Sequence, residues 1–256
     1  MLERPAATVI LKIRGYTGMT DIDCRFAKGE DMAESAKNQS GLIKVIADAI
    51  EWGYERVVEP EVFGIVGAEE LAEEYRKTTS DVETAIDQLI RWQVMQAGAA
   101  GFVTGIGGVF TLPVALPANI AAIIFIQLRM IAAIAHLRGY DIRSDRVGGL
   151  VKACIVGSSL TDILKDFGVG IGSKMSQKAV NQISGATLLK INQAVGIKLV
   201  TKAGTTGMIN LTKIIPFIGG VVSGSIDATA TLAIGSAAKK VFATMPVASE
   251  AETAQM

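Results

Sequence analysis

The side chains that could do chemistry are few in this 256-residue chain, and their spacing decides what each can do. His136 is the only histidine, so a Ser-His-Asp triad would have to use it, and no second histidine is present for a metal site. A lone histidine near a helix end more often serves as a helix-end cation than as a base. Gly220-Val221-Val222-Ser223-Gly224 has the wrong spacing for a G-x-S-x-G nucleophile elbow. Asp166-Phe167-Gly168 imitates the metal-binding tripeptide of kinases, but no catalytic-loop motif precedes it. Gly168-x-Gly170-x-Gly172-Ser173-Lys174 resembles a phosphate loop without meeting G-x-x-x-x-G-K, because Phe167 stands where the first glycine belongs and Ser173 precedes Lys174. It reads either as a nest for an anionic head group or as a flexible connector. The pairs Glu69/Glu70 and Glu73/Glu74 read as the solvated face of a short helix. Cys24 and Cys154 show neither metal spacing nor a disulfide framework, which fits a reducing compartment. The residues therefore point away from an enzyme, and no cofactor or metal is expected.

The elements around these residues are more informative. Half of the chain is apolar and aromatics are only 5%, so the apolar weight sits in Ala, Val, Ile and Leu. Mean hydropathy is +0.39, high for a cytosolic protein and low for a polytopic transporter. Net charge is zero, yet residues 1–96 carry 18 acids and 11 bases while residues 97–256 carry 7 acids and 14 bases. The basic half also holds the longest apolar stretches, a pairing that suits an anionic lipid surface, or else attraction between the two halves of one fold. Its lysines and arginines lack interleaved aromatics, which argues against nucleic acid. The apolar run near the N-terminus is interrupted by Lys12 and Arg14, so a secretory signal is not expected and a cytoplasmic or cytoplasm-facing protein is.

Residues 6–27 carry the pattern of a short β-hairpin, and residues 1–40 read as an N-terminal segment. From Ser40 the period becomes helical: Leu42, Ile46, Ala49, Ile50, Gly53 and Val57 share one face, and Pro60 ends the run. A short helix over 69–77 follows. Ser80 and Glu83 form an S-x-x-E capping box for a third helix, in which Val82, Ile86, Leu89, Ile90 and Gln93/Val94 share a face and Asp87 and Arg91 are spaced to pair. That helix runs into Trp92–Leu128, 37 residues without a charge. Pro113 and Pro117 predict a bend over 112–116, and Gly139 is placed to cap the second limb. Ser144, Thr161, Ser173 and Ser184 mark further helix starts in a more polar section. Pro216 opens a last apolar helix ending near Phe242, whose only charge between 214 and 238 is Asp227. Residues 244–256 read as a mobile tail.

The fold class is therefore all-α, a helical bundle over 41–243 with a Gly-rich apolar hairpin and an apolar C-terminal helix. Segments 92–112, 118–137 and 214–238 have the length of a membrane span. Gly101-x-x-x-Gly105 and Gly220-x-x-x-Gly224 fit the small-xxx-small pattern of close helix contact. Against a span stand the Ala/Gly richness, the missing aromatic belt, and one charge in mid-segment at Arg129 and at Asp227, each costing about 2.5–3.5 kcal/mol at a bilayer centre. A fully buried helix of a soluble bundle has the same look. In either setting two opposite charges are best satisfied by one another, so Arg129 and Asp227 are expected to pair; the alternative is that Arg129 reaches water at a helix end. Gly101, Gly105, Pro113, Pro117, Asn119, Phe125, Pro216, Gly220 and Gly224 are the expected contacts to membrane or apolar ligand.

Leu116-Pro117-Ala118-Asn119-Ile120, then Leu128-Arg129-Met130-Ile131-Ala132-Ala133-Ile134-Ala135 and Gly139-Tyr140-Asp141, resemble the central signature of the bacterial EcsC family. Ile215-Pro216-Phe217-Ile218-Gly219-Gly220-Val221-Val222-Ser223-Gly224 looks like that family's C-terminal block. The family usually has an acid where this chain has Asn119. The resemblance implies an apolar helical protein at the cytoplasmic membrane, whose founding member is encoded beside an ABC transporter linked to secretion; it brings no catalytic residues. The expected function is a membrane-associated, non-enzymatic accessory or interaction protein tied to transport or secretion. Its partners are anionic lipid of the cytoplasmic face and another protein; the sequence sets no oligomeric state. The alternatives are a soluble helical binder of a lipid or other apolar ligand and, third, a hydrolase using His136.

Overall fold

The computed structural model describes residues 39–60, 66–106, 112–170, 177–210 and 216–242. The β-hairpin expected over 6–27, the helix start at Ser173 and the C-terminal tail lie outside the described residues. Every described element is helical: α1 (Gln39–Val58), α2 (Ala68–Arg76), α3 (Val82–Ile106), α4 (Leu112–Leu137), α5 (Asp145–Ala153), a 3-10 turn (Cys154–Ser159), α6 (Leu160–Asp166), α7 (Gln177–Gln182), α8 (Gly185–Asn210) and α9 (Pro216–Val241).

The boundaries follow local chemistry. In α1 the face Ile46, Ala49, Ile50, Gly53 and Val57 is buried while Asp48, Glu51 and Glu55 are exposed, as the 3.6-residue period requires. The α3 N-cap is Asp81 rather than Ser80, because the helix begins at Val82. The Asp81 carboxylate accepts from the Thr84 amide at 2.8 Å, and the Thr84 hydroxyl bonds to it as well. Those two bonds, the hydroxyl's first, hold the Asp81 carboxyl below its usual range. The bend expected over 112–116 is also corrected: α4 has already begun at Leu112. Pro113 falls in the first turn, where a missing N–H would have found no partner, and Pro117 forfeits only one helical bond. Gly139 does end α4. With φ at 80° it sets a reversed turn in which Tyr140 donates to the Ala135 carbonyl at 3.0 Å and Gly139 to that of His136 at 2.9 Å. Gly168 ends α6 in the same way, which is the role of the Asp166-Phe167-Gly168 tripeptide. Ser144 and Ser184 stand at the starts of α5 and α8, whereas at Thr161 the chain is already helical from Leu160.

The second half of α4 is the axis of the core. Leu128 and Met130–Ala135 are fully buried, with α1, α2, α5 and α9 packed around them. Trp52 meets the edge of Phe125 at 6.3 Å, and the Tyr54 hydroxyl donates to the Ile142 carbonyl at 2.5 Å. α9 lies along α3 in the most extensive helix pair of the molecule. The pair is antiparallel: Gly235 sits against Ile90, and Lys239 reaches Asp87 at 2.6 Å. A side chain at 235 would bring its Cβ within 2.9 Å of Ile90, so the close approach needs glycine. The expected Asp87–Arg91 pair is therefore not formed; Asp87 turns to Lys239 across the helix pair instead.

A polar clamp closes the base of the bundle. The guanidinium of Arg138, 4% exposed, pairs with Glu83 at 2.5 Å and donates to the Lys239 and Phe242 carbonyls at 3.2 and 2.5 Å. It thereby ties the start of α3 and the end of α4 to the unsatisfied C-terminal carbonyls of α9.

Candidate functional site

The packed base and the clamp occupy one end of the bundle; α3, α4 and α9 continue past them. Along α3 the last charge is Arg91, and along α4 the first is Arg129. Met95 on α3, Ile123 on α4 and Leu232 on α9 are exposed by 54%, 46% and 51%. The Arg138–Glu83 contact between α4 and α3, the antiparallel α3–α9 register and the helical rise put these three residues within about 5 Å of one height. They form an apolar collar, beyond which α3 and α4 carry no charge and α9 carries Asp227 alone. Trp92, half-buried, lies one turn before Met95, and the exposed Arg91 adjoins it on the base side. Ile197 of α8 is 61% exposed. It faces Ser159 across a groove, and nearby Gly157 lies against Ala233 of α9.

Past the collar the structure carries the sequence-expected contact residues on backbone helix. Gly101 and Gly105 are in the last three turns of α3, Pro113, Pro117 and Asn119 in the first turns of α4, and Pro216, Gly220 and Gly224 in the first turns of α9. Phe125 is different. It is partly enclosed in the fold, edge-on to Trp52, with the Arg129 guanidinium 5.4 Å from its ring centroid. Thr229, exposed on α9, donates its hydroxyl to the Ser225 carbonyl at 2.7 Å, so its polar group is satisfied within the helix.

Arg129 and Asp227 do not come together. Arg129 is buried and turns toward α2, donating to the Val66 carbonyl at 3.4 Å. Asp227 lies on α9, and among the described residues no ion pair joins the two. Burial pushes the Asp227 carboxyl above its usual range.

The remaining candidates resolve into structural roles or stand apart. His136 approaches Glu73 at 3.7 Å on the surface of α2. Glu69 pairs with Arg143, so the acids of α2 also tie the α4–α5 turn. Cys154 is fully buried, and desolvation drives its thiol far up, away from the reactive thiolate. Among the described residues no group of three or more His, Cys, Asp or Glu side chains could hold a metal. A groove of about 320 Å³ between α6 and α8 is walled by Asp162 and Asp166 on one side and Ile197 and Lys198 on the other.

Sequence reasoning missed the section 145–166. Among the described residues, Asp145–Asp166 is the one helical stretch long and apolar enough to cross a membrane by length and composition, yet 72% of its apolar window is buried inside the fold. Its signal was Val147, Leu150, Val151, Ile155, Val156, Leu160, Ile163 and Leu164, an apolar spacing hidden by six charges in the same segment. Arg138, the centre of the clamp, carried no signal beyond its place immediately after α4.

Compared with known proteins, residues 29–244 match the EcsC protein family. No curated protein and no solved structure matches the chain.

Proposed function

The chain belongs to the EcsC protein family, and from that premise we propose that it is a membrane-associated accessory protein. In this reading it docks the uncharged end of its bundle on the anionic, cytoplasmic face of a bilayer. The observation that carries the reading is the collar: three large apolar side chains, Met95, Ile123 and Leu232, stand exposed at one height. Beyond them α3 and α4 continue without a charge, and α9 with Asp227 alone. Water disfavours such a surface; hydrocarbon accepts it, since the backbone there is helical and bonds to itself. The basic excess of residues 97–256 supports an anionic lipid partner. An accessory role in transport or secretion, with a protein partner on the acidic N-terminal side, follows the resemblance of the central and C-terminal blocks.

Flotation of the purified chain with lipid vesicles tests this. The expected result is recovery with vesicles containing phosphatidylglycerol, at a higher fraction than with phosphatidylcholine alone, the difference narrowing as salt rises. A chain that stays at the bottom of the gradient with both vesicle types contradicts the reading. Native mass spectrometry of that soluble protein would then reveal whether it holds an apolar ligand in its core instead.

A further inference from the structure

Resting on the membrane-docking reading, we infer that the bundle enters one leaflet only. It stops at the collar of Trp92, Met95, Ile123 and Leu232, with Arg91 at the depth of the lipid phosphates. The lengths set the limit. At 1.5 Å per residue, α3 runs about 16 Å from Met95 to its end and α4 about 16 Å from its start to Ile123. On α9, Pro216 to Leu232 covers about 24 Å. A hydrocarbon core is about 30 Å thick, so a leaflet is about 15 Å: the α3 and α4 lengths match one leaflet, and α9, too short to cross the bilayer, must lie tilted to stay within it.

The border has the chemistry of an interface. Its one tryptophan is half in, half out of the fold, the position at which an indole favours the headgroup boundary. Arg91 is exposed on the adjoining turn. Because Asp87 is taken by Lys239, Arg91 meets no carboxylate among the described residues. A cation left at that height suits lipid phosphate. Above the border two of the described polar groups are turned from solvent in part or in full. The Thr229 hydroxyl is bonded to its own helix, and Asp227 is half-buried rather than presented outward. Below it the exposed surface turns polar, with Asp87, Gln88 and Lys240. A spanning mode would drag the clamp of Glu83, Asp87, Arg138 and Lys239 into hydrocarbon, at several kcal/mol per unscreened charge.

Tryptophan quenching by brominated lipid measures the depth. The chain has two tryptophans, and a Trp52→Phe variant leaves Trp92 as the reporter. In phosphatidylglycerol-containing vesicles, acyl chains brominated near the headgroup are expected to quench Trp92 at least twofold more than chains brominated near the bilayer centre. A Trp52→Phe/Trp92→Phe/Phe102→Trp variant places the reporter about 15 Å further along α3, and the preference should reverse. Stronger quenching of Trp92 from the bilayer centre overturns the one-leaflet depth, as does no quenching in protein that floats with the vesicles. Failure to float at all removes the docking reading itself, so the two failures are distinct. Should the tryptophan variants misfold, Met95→Lys and Leu232→Lys change exposed residues. Each is expected to weaken flotation at least fivefold, and unchanged flotation in both overturns the collar.

Discussion

At the scale of single residues, two charged side chains carry opposite consequences. Asp227 sits in an apolar helix with its carboxyl pushed up by burial. An acid whose folded-state pKa exceeds its unfolded value opposes folding once pH rises past the unfolded value of about 4, because the unfolded chain ionises first. Its cost is absent below that pH and grows as pH climbs through the folded pKa. Asp227→Asn is therefore expected to raise the melting temperature at pH 7 and leave it unchanged at pH 3. A lower melting temperature at pH 7 would mean that a cation does stabilise the carboxylate. Arg138 acts in the other direction, holding Glu83 and two end carbonyls of α9 from a buried position. Arg138→Ala should lower the urea unfolding free energy by about 2–3 kcal/mol, the scale of lost hydrogen bonds to a charged group. A loss below 0.5 kcal/mol would show that α9 is anchored without it.

At the scale of elements, α9 on α3 is the joint that brings the two apolar segments together. The sequence shows the small positions along α9, and Gly235 is where the structure needs one most tightly, against Ile90. Gly235→Ala is expected to cost about 1–3 kcal/mol by overpacking, read from urea unfolding. A stabilised variant would mean that the joint is loose and that helix propensity decides. Much of this level was legible beforehand. The buried faces of α1 and α3, the Gly139 cap and the bounds of α9 follow from period, cap chemistry and proline position. What escaped depends on information outside a single helix. Asp87 could pair with Arg91 or with Lys239, and only the α9 register selects the latter. Pro113 and Pro117 mark an end of α4, but their spacing does not say whether the turn precedes or follows them. Asp145–Asp166 looks polar in sequence because its charges fall on the outer face of a stretch that is core on the inside.

At the scale of the molecule, the bundle is polarised along its length. The clamp, the buried axis of α4 and the salt links of α2 hold one end, and beyond a collar of exposed apolar residues the helices continue with Asp227 as their one charge. Membership of the EcsC family fixes the kind of chain, and the docking proposal puts the working end beyond the collar. The sequence revealed the uncharged stretch but not its division into a core half and a projecting half, because Ile124–Leu137 and the segment before it share one composition. Hydrogen exchange of the full chain, with and without phosphatidylglycerol-containing vesicles, tests that division most directly. Vesicles are expected to slow exchange in peptides covering 96–106, 112–123 and 216–231 and to leave 82–90 and 145–166 unchanged. Protection confined to the base, or exchange unaltered throughout in vesicle-bound protein, would contradict it.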